Sequence, residues 1–332
     1  MNNEVSEFRF GEDIEVNTDD EEIIVQHFRV KKIENLEKCT NLKNLTIVAS
    51  CVSRLESLTT NVNLVHLEVY QGLLRKIENI SHLRSLLVLD LSFNEIGKIE
   101  GISDLVLLEK LYLSNNHITR IEGLETLRNL KVLELGSNRI RKIENIENLS
   151  NLEELWLGKN KINELNNICG VFPNLKQLSL QSNRLTIWPP VDFFNEKIPN
   201  LQSLYLGSNQ LPNPDQNTLE GLIHIQELDL SCNMMTEIPN FQTTTLIEEL
   251  WMNDNLIPDT FTFNRIGKYF PKLKTLYMER NPVQTECPLD YRTQALANAP
   301  PTLQQLDACL VSAERVVNTK ANENVKGILK HT

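Results

Sequence analysis

The residues of this sequence that have binding or reactive chemistry recur at a regular interval and form no local catalytic motif. Acidic and aromatic residues alternate at intervals of 22 residues in Asp90, Tyr112, Glu134 and Trp156. The sequence contains no Walker loop, dinucleotide fingerprint, metalloprotease helix motif or serine elbow. Its six histidines and six cysteines show no metal-ligand spacing. We therefore expect a protein that is not an enzyme, that uses no cofactor or metal, and that acts by binding.

The alternating residues occupy one position of an internal repeat. The repeat has the form LxxLxLxxN, as in LEKLYLSNN beginning at Leu108, and it restarts every 22 residues from Leu42 to Leu152. Five later units follow at spacings of 22 to 26 residues, and a partial unit begins at Ile23. The sequence thus holds eleven full units. This consensus is the leucine-rich-repeat signature.

The repeat predicts an α/β solenoid. Alternate residues of the LxL segment point to opposite faces of a short strand, so its leucines enter the core. The asparagine at the ninth position has both donors and an acceptor for the backbone groups that the following turn leaves unpaired. The remaining return path is short and favours 3₁₀ turns. We expect a curved parallel sheet on the concave face, short 3₁₀ or α turns on the convex face, and a C-terminal repeat cap.

Composition divides the chain into four parts. Residues 1–19 are predicted to be an acidic disordered tail, because they offer little apolar surface to offset the entropy of ordering. Residues 20–272 hold the leucine-rich repeats, and residues 273–310 hold the last repeat and the cap. Residues 311–332 are polar and are expected to be a flexible tail.

The net charge and the cysteine pattern restrict the classes of partner. A formal charge of -11 and a pI near 5.2 argue against nucleic acid as a partner, since phosphate binding needs clustered Lys and Arg. The N-terminal residues lack the basic and apolar regions of a secretory signal, and no run of 18 apolar residues occurs. Scattered cysteines without a CxxC pair indicate reduced thiols. We expect an intracellular protein with no membrane partner.

A charged triplet repeats on the return path of the first six units. It begins as Lys32-Ile33-Glu34 and is last seen as Lys142-Ile143-Glu144. The apolar middle residue is predicted to enter the core, which leaves rows of opposite charge outside. Because exposed ion pairs contribute little free energy, we interpret these rows as a solvated charge ladder.

The position between the second and third repeat leucines is the candidate binding surface. It faces outward on the concave side, so core packing does not select its residues. Two of the three tryptophans and three of the six tyrosines of the chain occupy it, and such aromatics are frequent anchors of protein interfaces. Eleven strands about 4.8 Å apart would line roughly 50 Å, which suits a folded protein domain. The candidate partner-binding residues at this position are Asp90, Tyr112, Glu134, Trp156, Tyr205, Asp229, Trp251 and Tyr277.

Over about residues 20–310 the units of the form LxxLxLxxNxIxxIExL and the cap resemble the protein phosphatase 1 regulatory subunit 7 family. The resemblance implies a non-catalytic regulatory subunit, a monomer when free, whose concave face binds the catalytic subunit of protein phosphatase 1. It implies control of the maturation, activity or targeting of the phosphatase in the nucleus and cytoplasm, including in mitosis, in some complexes together with inhibitor 3. The contacts that the resemblance implies are Asp90, Tyr112, Glu134, Trp156, Asp229, Glu249, Trp251 and Tyr277, with Tyr112 and Trp156 replacing phenylalanines typical of the family.

One motif lies outside the repeats. The tail run Gly327, Ile328, Leu329 and Lys330 resembles a docking motif of other phosphatase 1 regulators, and we expect it to act as a second tether that raises effective concentration. The alternative to a phosphatase subunit is a cytoskeletal or ciliary leucine-rich-repeat adaptor. A ribonucleoprotein component is disfavoured by the acidic column, and an enzyme has no feature in its favour.

Overall fold

The computed structural model describes residues 8–26, 28–215, 217–241, 245–286 and 288–311. They form a solenoid built on one 14-stranded sheet in which the strands follow one another in chain order. All neighbours from β1 to β13 are parallel, and β14 closes the sheet in the antiparallel direction. Strands β2 to β12 correspond one to one to the eleven predicted units. The predicted leucine-rich-repeat solenoid is confirmed.

Most strands are only three residues long. Helices occur only in the later turns of the part of the chain described above, and they are α1 (Phe193–Lys197), α2 (Asn264–Tyr269), α3 (Pro282–Glu286) and α4 (Pro288–Asn298). The strands are β1 (Glu22–Val25), β2 (Asn44–Val48), β3 (His66–Tyr70), β4 (Val88–Asp90), β5 (Lys110–Tyr112), β6 (Val132–Glu134), β7 (Glu154–Trp156), β8 (Gln177–Ser179), β9 (Ser203–Tyr205), β10 (Glu227–Asp229), β11 (Glu249–Trp251), β12 (Thr275–Tyr277), β13 (Gln305–Leu306) and β14 (Cys309–Leu310).

The core is a stack of equivalent apolar residues. Leu111 pairs in register with Leu89 on one side and Leu133 on the other, and all three are fully buried. One turn has no opposite layer of its own, so its leucines are buried only when a neighbouring turn covers them. This constraint keeps the strands in strict register and fixes which residues face outward.

The predicted asparagines form a hydrogen-bonded ladder inside the solenoid. The amide nitrogen of Asn138 donates to the carbonyl oxygens of Leu113 (2.9 Å) and Leu135 (3.1 Å), and its side-chain oxygen accepts the N–H of Ile118 (2.9 Å). Each asparagine therefore joins its own turn to the preceding one. The buried members of the ladder are Asn94, Asn116, Asn138, Asn160, Asn183, Asn209, Asn233, Asn255 and Asn281.

The return paths of the regular units are single tight turns and contain no helix. In one of them the amide of Leu105 donates to the carbonyl of Ile102 (3.0 Å), and the amide of Leu108 donates to that of Leu105 (2.9 Å). These i to i+3 bonds have the 3₁₀ pattern, but they do not extend into a 3₁₀ helix in the described residues. Immediately before these bonds the chain turns sharply at Gly101, where φ is +71° and an added Cβ would lie 2.4 Å from a carbonyl oxygen.

The acidic N-terminal segment packs against the first turn. Phe10 is fully buried in the core, and the side-chain amide of Asn35 donates to its carbonyl oxygen at 2.7 Å. A solenoid has to cover the core at its end, and Phe10 covers part of it. This packing of residues 8–19 differs from the disorder expected for residues 1–19. Residues 1–7 lie outside the described part of the chain.

In the C-terminal cap, Asp307 follows the central leucine of β13, at the repeat position of Tyr277, and joins the cap to the last full turn. One carboxylate oxygen of Asp307 accepts the amides of Met278 (2.8 Å) and Glu279 (2.9 Å), and the other accepts the hydroxyl of Tyr291 (2.8 Å). Burial, followed by the charge of Asp307, raises the pKa of Tyr291 well above its usual range. The tyrosine therefore stays protonated and donates to the carboxylate. Residues 312–332, most of the predicted flexible tail, lie outside the described residues.

The ladder makes a direct prediction for stability. Asn138→Ala leaves the buried amide of Ile118 without its acceptor, and an unsatisfied buried group costs about 1–3 kcal/mol. It also removes one of the two amide donors to each of the carbonyls of Leu113 and Leu135, which Asn116 and Asn160 still contact. We expect the free energy of unfolding to fall by about 2 kcal/mol, measured by urea denaturation. Asn151→Ala is the matched control, because that exposed amide donates only to the carbonyl of Arg128 (3.0 Å). An equal loss in both variants would contradict the role of the ladder.

Candidate protein-binding surface

The concave face presents two columns of side chains on either side of the buried central leucine of each strand. The second column contains the predicted acids and aromatics, and the first column contains the residue two positions earlier. The structure places Glu249 in the first column of β11, on the same strand as Trp251. All predicted residues in the repeats are partly buried, so they are accessible but held by neighbours. The predicted motif at Gly327, Ile328, Leu329 and Lys330 lies outside the described residues.

The register divides the predicted residues into two groups. The N-terminal group places Asp90, Tyr112, Glu134 and Trp156 on four successive strands. The C-terminal group places Tyr205, Asp229, Trp251 and Tyr277 on the four strands β9 to β12. One strand, β8, separates the groups, and its second-column residue is Ser179, which is 1% exposed.

A stacked aromatic pair joins the two groups above Ser179. The rings of Trp156 and Tyr205 have centroids 6.1 Å apart and an interplanar angle of 18°. They lie two strands apart, so they meet only because the small serine between them leaves room. The indole N–H of Trp156 donates to Glu154 at 3.0 Å, and the hydroxyl of Tyr205 donates to Glu227. Both rings are thus oriented by carboxylates of the first column.

These two carboxylates are not among the contact residues predicted from the sequence. Glu154 and Glu227 stand immediately before the central leucine of their strands. The sequence does contain the pattern that identifies them, because a residue two positions before the second column lies on the same face of a strand. Burial, followed by the hydrogen bond and charge of Glu227, raises the pKa of Tyr205 to about 12.

Carboxylates of the N-terminal group are partly desolvated. Burial is the main cause that raises the pKa of Glu134, opposed by a hydrogen bond from Ser114. Tyr112 stands between Asp90 and Glu134 in register, and burial followed by the charges of Glu154, Glu134 and Asp90 raises its pKa. The hydroxyl of Tyr112 therefore remains a neutral donor among acids.

The C-terminal group has the same character. Burial raises the pKa of Asp229, whose carboxylate accepts the amide (2.9 Å) and the hydroxyl (2.6 Å) of Ser231. Burial and the charges of Glu227 and Glu248 raise the pKa of Glu249, while Lys274 lowers it. Glu227 and Glu249 face one another across adjacent strands, so a neighbouring cation would relieve both desolvation and mutual repulsion.

A small pocket opens beside the aromatic pair. It has a volume of 170 Å³ and is lined by Glu134, Trp156, Gly136 and Gly158 among others. A Cβ added at Gly136 would meet only the carbonyl oxygen of Gly158, at 3.5 Å, so packing does not require a glycine there. The missing side chain leaves space for a side chain from a partner.

Among the described residues no group of three or more His, Cys, Asp or Glu side chains could hold a metal ion. Within the same residues no helix is long and apolar enough to cross a membrane. What the surface offers is an acidic, aromatic face, and complementary charge of this kind selects a partner and accelerates its association.

Solenoids of parallel strands with an asparagine ladder define the class of leucine-rich-repeat proteins, and comparison with known families agrees. The profile described as "Leucine Rich repeats (2 copies)" matches residues 84–126, 106–148, 128–170 and 173–222. The profile described as "Leucine rich repeat" matches residues 199–257. The chain belongs to the leucine-rich-repeat family. Its fold is that of a protein-interaction scaffold.

Solved structures support the same fold. An internalin from Listeria monocytogenes is 20% identical with a TM-score of 0.70, and the match covers 87% of each chain. A leucine-rich-repeat protein of Leptospira interrogans is 22% identical with a TM-score of 0.64, covering 84% of this chain and 76% of that one. No curated protein matches the sequence.

The desolvated acids predict a pH-dependent effect on stability. Because burial raises the pKa of Glu134 above 4.5, its ionised form is disfavoured in the folded protein. The cost is absent at pH values below 4.5 and grows as pH rises through the raised pKa. Glu134→Gln should therefore raise the melting temperature at pH 8 and leave it nearly unchanged at pH 4, as measured by calorimetry.

The matched control for this measurement is Glu153→Gln. Glu153 lies at the margin of the sheet and forms an exposed ion pair with Lys176 at 2.7 Å. Its replacement removes that pair and should give no gain in melting temperature at pH 8. A gain of equal size in both variants would show that general charge reduction, and not desolvation at Glu134, is responsible.

Proposed function

We propose that this protein is a non-catalytic regulatory subunit whose concave face binds the catalytic subunit of protein phosphatase 1. The observation that carries the proposal is the continuous acidic and aromatic column, joined across β8 by the stacked pair of Trp156 and Tyr205. The column holds all the contacts that the resemblance to the phosphatase subunit family implies except Glu249, which stands in the first column of β11.

The energetics favour a partner with a basic and apolar surface. Carboxylates such as Glu134 and Asp229 are partly buried in the free protein, at a cost in free energy that a neighbouring cation offsets. Aromatic rings held in place by hydrogen bonds lose little conformational entropy on binding, which strengthens their role as anchors. The buried carboxylates raise the free energy of the unbound surface, and the oriented rings reduce the entropy lost on binding. Both features favour the bound state.

The length of the surface favours a folded domain as the partner. The strands from Asp90 on β4 to Tyr277 on β12 are nine in number, at about 4.8 Å between neighbours. They extend over roughly 40 Å, which exceeds the reach of a small molecule. A monomer of this shape leaves the whole concave face free for one partner. Inhibitor 3 is proposed to join the complex by contacting the phosphatase as well.

In this proposal the scaffold controls the maturation, activity or targeting of the phosphatase in the nucleus and cytoplasm. Control of maturation, of activity and of targeting have different effects on the bound phosphatase. Catalytic activity and metal content of the phosphatase, measured with and without the full chain, distinguish them.

The proposal predicts that Trp251 and Glu249 are anchors of the interface. Trp251→Ala removes the aromatic ring and Glu249→Ala removes a carboxylate of the same strand, and neither residue belongs to the leucine core. Truncation of an anchor typically costs about 2 kcal/mol or more, which is roughly a 30-fold loss of affinity. We expect this loss for Trp251→Ala and a smaller one for Glu249→Ala, measured by calorimetry with the purified catalytic subunit.

Trp188→Ala is the matched control. Trp188 lies outside the concave columns and its indole donates to the carbonyl of Pro212 at 2.8 Å. Phosphatase affinity should stay at the parent value in this variant. If the parent does not bind the phosphatase, and affinity purification instead recovers tubulin or dynein, the alternative of a cytoskeletal or ciliary adaptor is favoured.

The tail motif is tested separately. If Gly327, Ile328, Leu329 and Lys330 bind the same phosphatase, they raise the effective concentration of the concave face. Removal of residues 318–332 should then weaken phosphatase affinity, by about 100-fold if the two contacts act together. An unchanged affinity in the shortened chain excludes the second tether and leaves the concave interface as proposed.

A further inference from the structure

A second surface with binding character lies at the first turns of the solenoid. Two cavities, of 460 Å³ and 120 Å³, share Lys31 and Lys32 in their walls. Their lining residues follow strands β1, β2 and β3, where the chain has left the sheet, except for Phe8 and Arg9, which precede β1. The surface is therefore separate from the concave columns.

The repeat explains why the larger cavity exists. Cys51 and Ser53 occupy positions at which the next turn has Leu73 and Arg75, because the units are 22 residues apart. Short side chains on one turn, with longer ones on the turns beside it, leave a notch. The guanidinium of Arg29 lies against this notch, since its Nε donates to the sulfur of Cys51 at 3.1 Å.

The walls of the notch are basic in a protein that is acidic overall. Four cations, Arg29, Lys31, Lys32 and Arg54, line the larger cavity together with a single carboxylate, Glu56. The whole chain has a formal charge of -11, so this local excess of positive charge runs against the average. Clustered cations of this kind raise the local concentration of anionic groups.

The ion pair of Arg54 does not prevent it from binding another carboxylate. Arg54 pairs with Glu78 at 3.0 Å, and the two side chains are 62% and 35% exposed. Exposed pairs contribute at most about 1 kcal/mol, so Arg54 exchanges one carboxylate for another at little cost. Leu73 is 44% exposed in the wall of the same cavity and gives it an apolar part.

We propose that this notch binds a short acidic peptide segment of a partner protein. Carboxylates of the peptide contact Lys32 and Arg54, and an apolar side chain contacts Leu73. The volume of 460 Å³, with a smaller cavity beside it, suits several residues of a peptide and is larger than a single inorganic anion needs. Carboxylate recognition by Arg is directional, which favours one register of the peptide.

The test is calorimetric titration of the full chain with the peptide acetyl-EELEE-amide at low ionic strength. The parent protein should bind it, and the affinity should fall as salt is added, because exposed charges are screened. The double variant Lys32→Glu with Arg54→Glu should bind about ten-fold more weakly or worse. No binding by the parent overturns the proposal.

Two further variants keep the result specific. Lys142→Glu changes the same repeat position as Lys32 in a turn outside both cavities, and its affinity should match that of the parent. Cys51→Leu fills the notch with the side chain that the next turn already has, and it should reduce peptide affinity even if the double variant does not fold. Equal weakening by Lys142→Glu, or no weakening by Cys51→Leu, overturns the proposal.

Inorganic phosphate and the peptide acetyl-KKLKK-amide serve as comparison ligands in the same titration. Neither should bind with the affinity of the acidic peptide. Binding of phosphate without binding of the peptide would assign the notch to a small anion and overturn the peptide proposal. The concave interface is not involved in this measurement, so either result leaves the phosphatase proposal unaffected.

Discussion

The burial of each turn by its neighbour is the constraint on which the structure depends. No unit has a core of its own, since the leucines of one turn are covered only by those of the next. The asparagine ladder adds directional bonds to this stacking, because each amide contacts carbonyls of two turns, as Asn138 does with Leu113 and Leu135. The stacked leucines and the asparagine ladder together set the register of the strands. The repeat therefore determines which side chains are adjacent on the concave face.

The register separates residues that stabilise the solenoid from residues that are available for binding. The leucines and asparagines are nearly invariant from unit to unit in this chain because each has an equivalent partner one turn away. The concave columns have no such requirement, and there the units differ: Tyr112, Glu134, Trp156 and Ser179 follow one another on adjacent strands. Variation against a constant background is what a binding surface for an asymmetric partner needs.

The solenoid and one concave column were predictable because both follow from a period in the sequence. The repeat fixes which residues enter the core and which face outward. Three features were not predictable in this way. The stack of Trp156 on Tyr205 depends on the small size of Ser179 between them, and the packing of Phe10 depends on the shape of the exposed end. The basic notch forms where side chains of adjacent turns, 22 positions apart in the sequence, come together. Within any single unit these residues are only scattered charges.

The carboxylates of the concave face are more buried than carboxylates that only keep a protein soluble. Carboxylates that serve only solubility lie on the exposed margin, as Glu153 does in its ion pair with Lys176. Glu134 and Asp229 are instead held where burial raises their pKa, and this placement costs free energy in the free protein. Because the solenoid core leaves the concave positions unconstrained, neutral residues would be accommodated there without that cost. In the proposed function, a partner supplies the positive charge that offsets the cost of these desolvated acids.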